Sequence, residues 1–315
     1  MRIRHAFQLA ALVAGCGSLP ATSAPAVESW GFVAPWDARS DSSAAAWGQS
    51  LDALVVGWIG LDSVTGLPSS LYPARPVHLG GPRRMAIVTS YALDHFHPQA
   101  LRTLALDSVA LARSAERVAE LAVLGQYRGL VFDFEEMTPR DTVITRAIVD
   151  AFAAAARRRG IGPIVVALPA TDTAAYPARL FPSADLLMPM LYDEHWVTSP
   201  AGPIASPDWV RRALSMRAAE AGAGRLVAAL PLYGYLWRPG HDAVTISLSE
   251  ARRLSAEAGV ALDRDASVST LHAKSSGTAP WELWVADSVL VDSLRAEVRR
   301  LGVRRVAYWR LGLER

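Results

Sequence analysis

The stretch GLVFDFEE at residues 129–136 joins an apolar run of strand length to a cluster of carboxylates. If residues 129–132 form a strand, apolar side chains lie on both of its faces. Such strands are typical of parallel sheets that are covered by helices. In barrels of parallel strands, the functional side chains lie at the carboxyl ends of the strands. The stretch therefore predicts a buried parallel strand that delivers acidic side chains to a site.

Seven further apolar runs of strand length flank this stretch, with segments of helical character between them. Helices are predicted at 108–124, 141–159, 207–220 and 287–301. This alternation predicts a single (β/α)8 TIM barrel over residues 27–315. A doubly wound open sheet is the alternative, but no GxGxxG follows the first strand. The eight predicted strands are 30–37, 53–61, 84–91, 129–136, 163–170, 185–193, 226–234 and 305–312.

The segment between the seventh and eighth strands is longer than a simple connection requires. Residues 238–283, approximately, hold a short helix-like piece at 249–258 among alternating polar and apolar runs. We expect a small insertion that packs on the top of the barrel.

The first 26 residues have the pattern of a secretory signal peptide. Arg2 and Arg4 precede an apolar run that is too short to span a bilayer as a helix. VAGC at 13–16 is similar to a bacterial lipobox, so we expect Cys16 to be lipidated and to anchor the protein in the cell envelope. The alternative is a secreted protein that is cleaved near 24–26. No later run of about 20 apolar residues predicts a membrane span.

Composition and charge exclude several classes of protein. Hydrophobic residues make up 51% of the chain, which provides for a large core. Lys and Arg number 32 against 30 Asp and Glu, and this near balance argues against a nucleic-acid partner. The His residues lack metal-ligand spacing, and the single Cys excludes an intrachain disulfide. We expect no metal, no cofactor and a monomer.

The acidic end of the fourth strand is the first candidate for chemistry. Alternation along a strand places Asp133 and Glu135 on one face with Val131, whereas Phe132 and Phe134 point towards the helices. Close, buried carboxylates tend to share a proton, which raises the pKa of one of them. Such an acid stays protonated near neutral pH. The alternative is a strand end at which both acids meet solvent or pair with an arginine.

Aromatic residues gather at the other predicted strand ends. Tyr192, at the end of the sixth strand, shares a face with Met188 and Met190 and can donate a hydrogen bond to a developing charge. Five tryptophans at or just past strand ends suit a carbohydrate cleft, although a lone tryptophan is more often part of the core. They are Trp36, Trp58, Trp196, Trp237 and Trp309.

Together these residues resemble glycoside hydrolase family 18. Its strand-four signature, DGxDxDxE, is matched at Gly129, Asp133 and Glu135, whereas Arg128 and Val131 stand where the family commonly has Asp. MLYD at 190–193 is similar to the family's MxYD, and a tryptophan of the final strand is also present. The branch of spore-germination and cortex-lytic peptidoglycan N-acetylglucosaminidases is the most similar. The matching segments are MLYDEHW (190–196), GPIAS (202–206), DWV (208–210), LPLYGYLW (230–237) and YWRLGLE (308–314).

The resemblance implies hydrolysis of a β-linked glycan that contains N-acetylglucosamine, either peptidoglycan or a chitin-like polymer. The nucleophile would be the sugar's own acetamido group, with retention of configuration. Glu135 would be the acid and base, Asp133 would stabilise the oxazolinium, and Tyr192 would position the acetamido carbonyl. Residues expected to contact the sugar are Asp193, Trp309, Trp196, Trp36 and Tyr233.

Two alternatives remain open at the level of sequence. The first is a catalytically weak or inactive glycan-binding protein on the same barrel, a reading that Arg128 and Val131 favour. The second is another barrel enzyme in which the DxE pattern is a coincidence.

Overall fold

Eight parallel strands close into a barrel in the computed structural model, which describes residues 27–73 and 81–314. Each barrel strand pairs with the barrel strands that precede and follow it along the chain. The barrel closes because β1 pairs with β8 as well as with β2. The predicted (β/α)8 barrel is confirmed. The strands are β1 Glu28–Phe32, β2 Ala53–Leu61, β3 Arg83–Thr89, β4 Leu130–Asp133, β5 Ile164–Pro169, β6 Leu186–Met190, β7 Ala228–Pro231 and β8 Arg305–Trp309.

The helices of the barrel lie between its strands and begin at side chains that cap them. Asp107, Ser206 and Asp287 each accept hydrogen bonds from backbone N–H groups of the first helical turn. The first two helices were not predicted, because α1 is rich in Ser and Ala and α2 has only 9 residues. The helices are α1 Ala38–Trp47, α2 Pro98–Leu106, α3 Ser108–Leu124, α4 Thr142–Arg158, α5 Pro207–Ala221, α6 Leu248–Ala258 and α7 Ser288–Arg300. Short 3-10 turns occupy Gly48–Ser50, Pro139–Asp141, Ala178–Leu180 and Ala223–Arg225.

Alternation along the barrel strands separates two apolar cores. In β4, Val131 packs inside the barrel against residues of the neighbouring strands, such as Ile87 and Met188. Phe132 points outward, and its ring meets that of Phe152 from α4 at 5.9 Å. The inner core fills the barrel below its carboxyl end, so a ligand can reach only the top of this core and the side chains beyond it.

The connection between β7 and β8 contains α6, α7 and an antiparallel five-stranded sheet, which begins at Gly234 and ends at Val285. It starts earlier than the predicted position of about 238 because its first strand follows β7 almost at once. Only glycine fits at position 234, since a Cβ there would lie 2.0 Å from the carbonyl oxygen of Trp284. One face of the sheet packs on α6. Its strands are Gly234–Arg238, His241–Ile246, Asp263–Asp265, Thr270–Ser275 and Trp281–Val285.

Two smaller elements complete the barrel. Pro68–Ser70 pairs antiparallel with the end of β2. Tyr91–Ala92 and His95–Phe96 form a short hairpin directly after β3. The hairpin stands at the carboxyl end of the barrel, beside the acidic end of β4.

Candidate active site

A cavity of about 640 Å³ opens at the carboxyl end of the barrel. Its floor is apolar and comes from strands β3 to β6, whereas acidic and aromatic side chains form its walls. The floor is lined by Ile87, Val131, Ala167 and Met188. The walls include Asp133, Glu135, Tyr192, Asp193, Tyr235, Trp36, Trp58, Trp196 and Trp309.

Asp133 is the last residue of β4, and it lies beside Thr89, the last residue of β3. The Thr89 hydroxyl donates a hydrogen bond of 3.1 Å to Oδ2 of Asp133. Burial raises the pKa of Asp133 to about 6, although hydrogen bonds from Thr89 and Glu135 act to lower it. The carboxylate is thus held at the cavity floor with a hydroxyl as its neutral partner.

Glu135 lies two residues further along and lines the same cavity. Burial raises the pKa of Glu135 well above its usual range, and the neighbouring charge of Asp133 raises it further. The interaction between the two carboxyl groups lowers the pKa of Asp133 and raises that of Glu135. Between the two pKa values, Asp133 is an anion and Glu135 is an acid, which is the pairing that acid catalysis needs.

The two departures from the strand-four signature lie in different surroundings. Arg128 is exposed and precedes β4, so it lies at the amino end of the barrel, away from the cavity. Val131 is fully buried in the cavity floor below Asp133. Glu136 is exposed at the cavity rim and has a φ of 60°, a left-handed conformation that side chains other than glycine seldom adopt.

Tyr192 and Asp193 follow the end of β6 and form the opposite wall. Burial raises the pKa of the Tyr192 hydroxyl well above its usual range, so it remains a hydrogen-bond donor. Burial also raises the pKa of Asp193, against hydrogen bonds from Tyr233 and Tyr235 that lower it. Asp193 has a φ of 61°, which turns the chain sharply after Tyr192.

The structure corrects one predicted sugar contact. Tyr233 does not line the cavity; it is 4% exposed and donates a 2.6 Å hydrogen bond to Oδ1 of Asp193 from behind. Tyr235, which sequence reasoning missed, does line the cavity. Both belong to the LPLYGYLW segment, but Gly234 begins a new strand between them, and the sequence pattern alone does not show which tyrosine faces the ligand.

Aromatic rings form a continuous wall around the acids. The Trp309 ring lies nearly parallel to that of Tyr192, with centroids 6.4 Å apart and an angle of 18°. Trp58 lies 6.3 Å from Trp309 and 4.8 Å from Trp36. Trp36 and Trp196 are each 51% exposed, so they offer open faces to a ligand. Exposed indole faces of this kind suit the apolar face of a sugar ring.

Trp237 does not belong to this aromatic wall, contrary to the grouping that the sequence suggested. It lies in the insertion sheet, away from the cavity, and its indole N–H donates a 3.0 Å hydrogen bond to the carbonyl of Ser199. Its position is that of a structural residue that ties the insertion to the loop after β6.

Residues 193–206, which we call the β6 loop, present Trp196 to the cavity. Both Nα and Oγ of Ser206 donate hydrogen bonds to the Glu194 carboxylate, at 2.6 and 3.0 Å. Gly202 lies against the ring of His195, and a Cβ at position 202 would come within 2.5 Å of it. The MLYDEHW and GPIAS segments are therefore two sides of one loop that closes on itself.

The hairpin after β3 is a wall that sequence reasoning did not anticipate. Tyr91, Asp94, His95 and Phe96 all line the cavity. The turn depends on positive φ values at Leu93 and Asp94, of 51° and 68°. Neither residue is a glycine, so no sequence signal marks this turn.

Other predicted features bear on partners and localisation. Cys16 and the leader lie outside the described residues. Within residues 27–73 and 81–314, no helix is both long and apolar enough to cross a membrane. The same part of the chain contains no group of three or more His, Cys, Asp or Glu placed to hold a metal ion.

Comparison with known proteins finds relatives of low sequence identity. No family model matches the chain. The cortical fragment-lytic enzyme of Bacillus subtilis (strain 168) is 24% identical over 249 residues, which are 73% of this chain and 57% of that protein. The chain therefore spans little more than half the length of this curated relative.

Solved structures resemble the chain across nearly its whole length. The spore cortex-lytic enzyme SleL of Bacillus cereus has a TM-score of 0.80 and 17% identity, and the match covers 94% of this chain and 73% of that one. A chitinase from Chromobacterium violaceum has a TM-score of 0.78 and 18% identity, over 92% and 96% of the two chains. At these identities the similarity shows a shared barrel fold.

Proposed function

We propose that the protein is a glycoside hydrolase of the family 18 type, which cleaves β-linked glycans that contain N-acetylglucosamine. The observation that carries the proposal is the half-buried pair of Asp133 and Glu135 at the base of an aromatic cavity. The names of the similar proteins support the class of substrate, since they act on cortical fragments, spore cortex or chitin. Peptidoglycan and chitin-like polymers both contain the required sugar.

The chemistry begins with the substrate's own acetamido group. Its carbonyl oxygen attacks the anomeric carbon while Glu135 gives its proton to the departing glycosidic oxygen. The oxazolinium that forms is positively charged, and the Asp133 carboxylate accepts a hydrogen bond from its N–H. Water then attacks the anomeric carbon and loses a proton to Glu135, which restores the acid. Two displacements at one carbon retain its configuration.

The surroundings of Asp133 and Glu135 lower the activation barrier of each step. A general acid contributes roughly 10²- to 10⁴-fold in rate, provided that it is protonated at the working pH. Burial maintains that protonation at Glu135. A fixed charge or donor at a developing charge is worth about 3–4 kcal/mol in such a site. Asp133 and the protonated Tyr192 hydroxyl are placed for that role.

A glycan-binding protein without activity is the second candidate, and Val131 is the observation in its favour. The apolar side chain removes the carboxylate that the family commonly places below Asp133. The Thr89 hydroxyl supplies a polar partner to Asp133 from the neighbouring strand, which favours the enzyme. Arg128 bears on neither candidate, because it lies away from the cavity.

Release of reducing ends from N-acetylglucosamine oligomers and from peptidoglycan tests the proposal. The wild type should cleave at least one of them, and Glu135→Gln should lower turnover by about 10² or more while oligomers still bind. Glu136→Gln is the matched control, since its carboxyl group is exposed, and its effect should be much smaller. Binding without cleavage by the wild type would establish the second candidate instead.

We also propose that Cys16 is lipidated and anchors the protein in the cell envelope. The support is the lipobox-like VAGC at 13–16 after a basic and apolar leader. Growth of an expressing bacterium with a labelled fatty acid should label the wild type and leave Cys16→Ser unlabelled. A mature protein that begins after residue 24 or 26 would contradict this anchor.

A further inference from the structure

The turn that carries Glu135 lies beyond the last paired residue of its strand. The ladder between β3 and β4 ends at Asp133, and the one between β4 and β5 ends at Phe132. Glu135 is followed by Glu136 in a left-handed conformation. The strand pairing of β4 therefore does not by itself hold the acid in place, and the turn needs another support.

A buried tyrosine from the neighbouring connection supplies that support. The Tyr176 hydroxyl donates a 2.7 Å hydrogen bond to the carbonyl of Phe134. The hydroxyl oxygen of Tyr176 also accepts a 2.9 Å hydrogen bond from the backbone N–H of Met137. These two backbone groups flank Glu135 and Glu136, so a single hydroxyl bridges both ends of the turn. Tyr176 is only 3% exposed, and water does not compete freely for either bond.

Tyr176 is itself fixed by the most buried charge in the described part of the chain. Arg217 of α5 is fully buried, and Nη1 donates a 2.8 Å hydrogen bond to the carbonyl of Tyr176. Its other bonds go to the same connection and to a single acid. They reach the carbonyls of Pro169, Ala170 and Asp172 at 2.6, 3.3 and 2.8 Å, and the Glu220 carboxylate at 3.0 Å.

A buried arginine destabilises the fold unless its N–H groups donate hydrogen bonds. The acceptors of Arg217 are mostly backbone carbonyls, so these bonds restrain the backbone that carries them. Four backbone carbonyls within eight residues leave the start of the β5–β6 connection little freedom. The rigid connection presents the Tyr176 hydroxyl, and the hydroxyl fixes the turn. The other end of α5 begins at Ser206, which closes the β6 loop through Glu194. One helix thus supports both walls of the cavity.

We infer that Tyr176, anchored by Arg217, is a positioning residue that holds Glu135 at the reacting bond. The inference rests on the proposed role of Glu135. Tyr176 does not line the cavity, so its effect is on the orientation of the acid and on its exclusion of water. Small displacements of a catalytic group can cost up to about 10²-fold in rate.

Tyr176→Phe removes one oxygen atom and preserves the packing of the ring. Turnover should fall by roughly tenfold with little change in KM. The alkaline limb of the pH–rate profile should move to lower pH, because a loosened Glu135 is better hydrated and loses its proton more easily. Arg217→Lys keeps the charge but cannot reach four carbonyls, so it should shift the profile in the same direction. Tyr308→Phe, on the outer face of β8, is the matched control and should change neither quantity.

A carboxyl titration by ¹³C NMR separates this inference from the proposed function. The Glu135 signal is assigned by its loss in Glu135→Gln, and it can be followed whether or not a glycan is cut. A lower pKa of Glu135 in Tyr176→Phe supports the inference. Identical Glu135 titrations and equal turnover in the wild type and Tyr176→Phe would overturn it. A wild type that cuts no glycan would instead defeat the proposed function.

Discussion

The carboxyl groups of Asp133 and Glu135 lie in surroundings that keep one proton between them. Burial raises the pKa of both, and the charge of Asp133 adds to the effect at Glu135. Because the groups interact, they titrate as a pair with two apparent pKa values. In the proposed mechanism the active form carries a single proton, and that proton is on Glu135.

The pH dependence of kcat/KM should follow this pair. Below a pH of about 6, Asp133 takes up a proton and the anion that balances the oxazolinium is lost. At higher pH, Glu135 loses its proton and the acid is lost. We therefore expect a bell-shaped profile with its acid limb near 6, measured on an N-acetylglucosamine oligomer. A rate that stays constant from pH 4 to 9 would contradict the assignment of both groups.

Thr89 sets the position of the acid limb. Its hydrogen bond lowers the pKa of Asp133, so Thr89→Val should raise that pKa and move the acid limb of kcat/KM to higher pH. The valine has nearly the same shape, but it also removes the acceptor of the Tyr91 backbone N–H, so a melting curve is needed beside the kinetics. A loss of one hydrogen bond to a charged group is worth about 1.5–3 kcal/mol, or about 1–2 pH units. Thr89→Ser keeps the hydroxyl and should leave the limb in place.

Single residues also show where sequence reasoning stops. Strand alternation was enough to place Asp133 and Glu135 on one face, because a buried strand has only two faces. It did not separate Tyr233 from Tyr235, since Gly234 starts a new strand between them. The contact of Thr89 with Asp133 joins residues 44 positions apart, and it depends on strand register that no local pattern encodes.

At the scale of elements, the β6 loop links two sequence segments into one support for the cavity. Gly202 packs against His195, and the hydrogen bonds of Glu194 to Ser206 close the loop. The segments were recognisable from the sequence, but their contact was not. The hairpin at 91–96 was missed for a related reason, because its turn has no glycine at the positions of positive φ.

Gly202→Ala should weaken glycan binding. Its Cβ would come within 2.5 Å of the His195 ring, so the loop must shift, and Trp196 shifts with it. Overpacking of this kind costs about 1–3 kcal/mol. We expect a several-fold rise in KM or in the Kd of an oligomer bound to Glu135→Gln. Gly224→Ala has open space around the new methyl group and is the control; equal affinities in the two variants would contradict this role of the loop.

At the scale of the whole molecule, the candidate site lies at the carboxyl end of the barrel strands, and the amino end lies on the opposite side of the barrel. The predicted fold was correct because eight apolar runs recur with helices between them, a pattern that few architectures share. Each predicted strand overlaps one strand of the barrel, although several predicted strands extend past the observed ends; the first was expected at 30–37 and is Glu28–Phe32. The five-stranded insertion was recognised only as an unusually long connection, because the alternation of its short strands was not combined with the turn signal at Pro239 and Gly240. Of the two departures from the family signature, Val131 lies at the cavity and Arg128 lies at the opposite end of the barrel.

Arg128 should be dispensable for activity. It is exposed and precedes β4, whereas the candidate site lies at the carboxyl end of that strand. Arg128→Ala should change kcat/KM by no more than about a factor of two, because exposed substitutions of this kind stay within about 0.5 kcal/mol. A melting curve checks that stability is equally unaffected. A loss of tenfold or more would show that the two ends of the barrel are coupled.

The anomeric configuration of the first product is the most direct test of the proposed mechanism. In that mechanism the substrate's acetamido group attacks first, under the control of Glu135 and Asp133. A ¹H NMR time course on a β-linked N-acetylglucosamine oligomer should therefore show the β-anomer first, before mutarotation. An otherwise identical oligomer that lacks the acetyl groups should not be cleaved. Initial release of the α-anomer, or equal cleavage of the deacetylated oligomer, would contradict this mechanism.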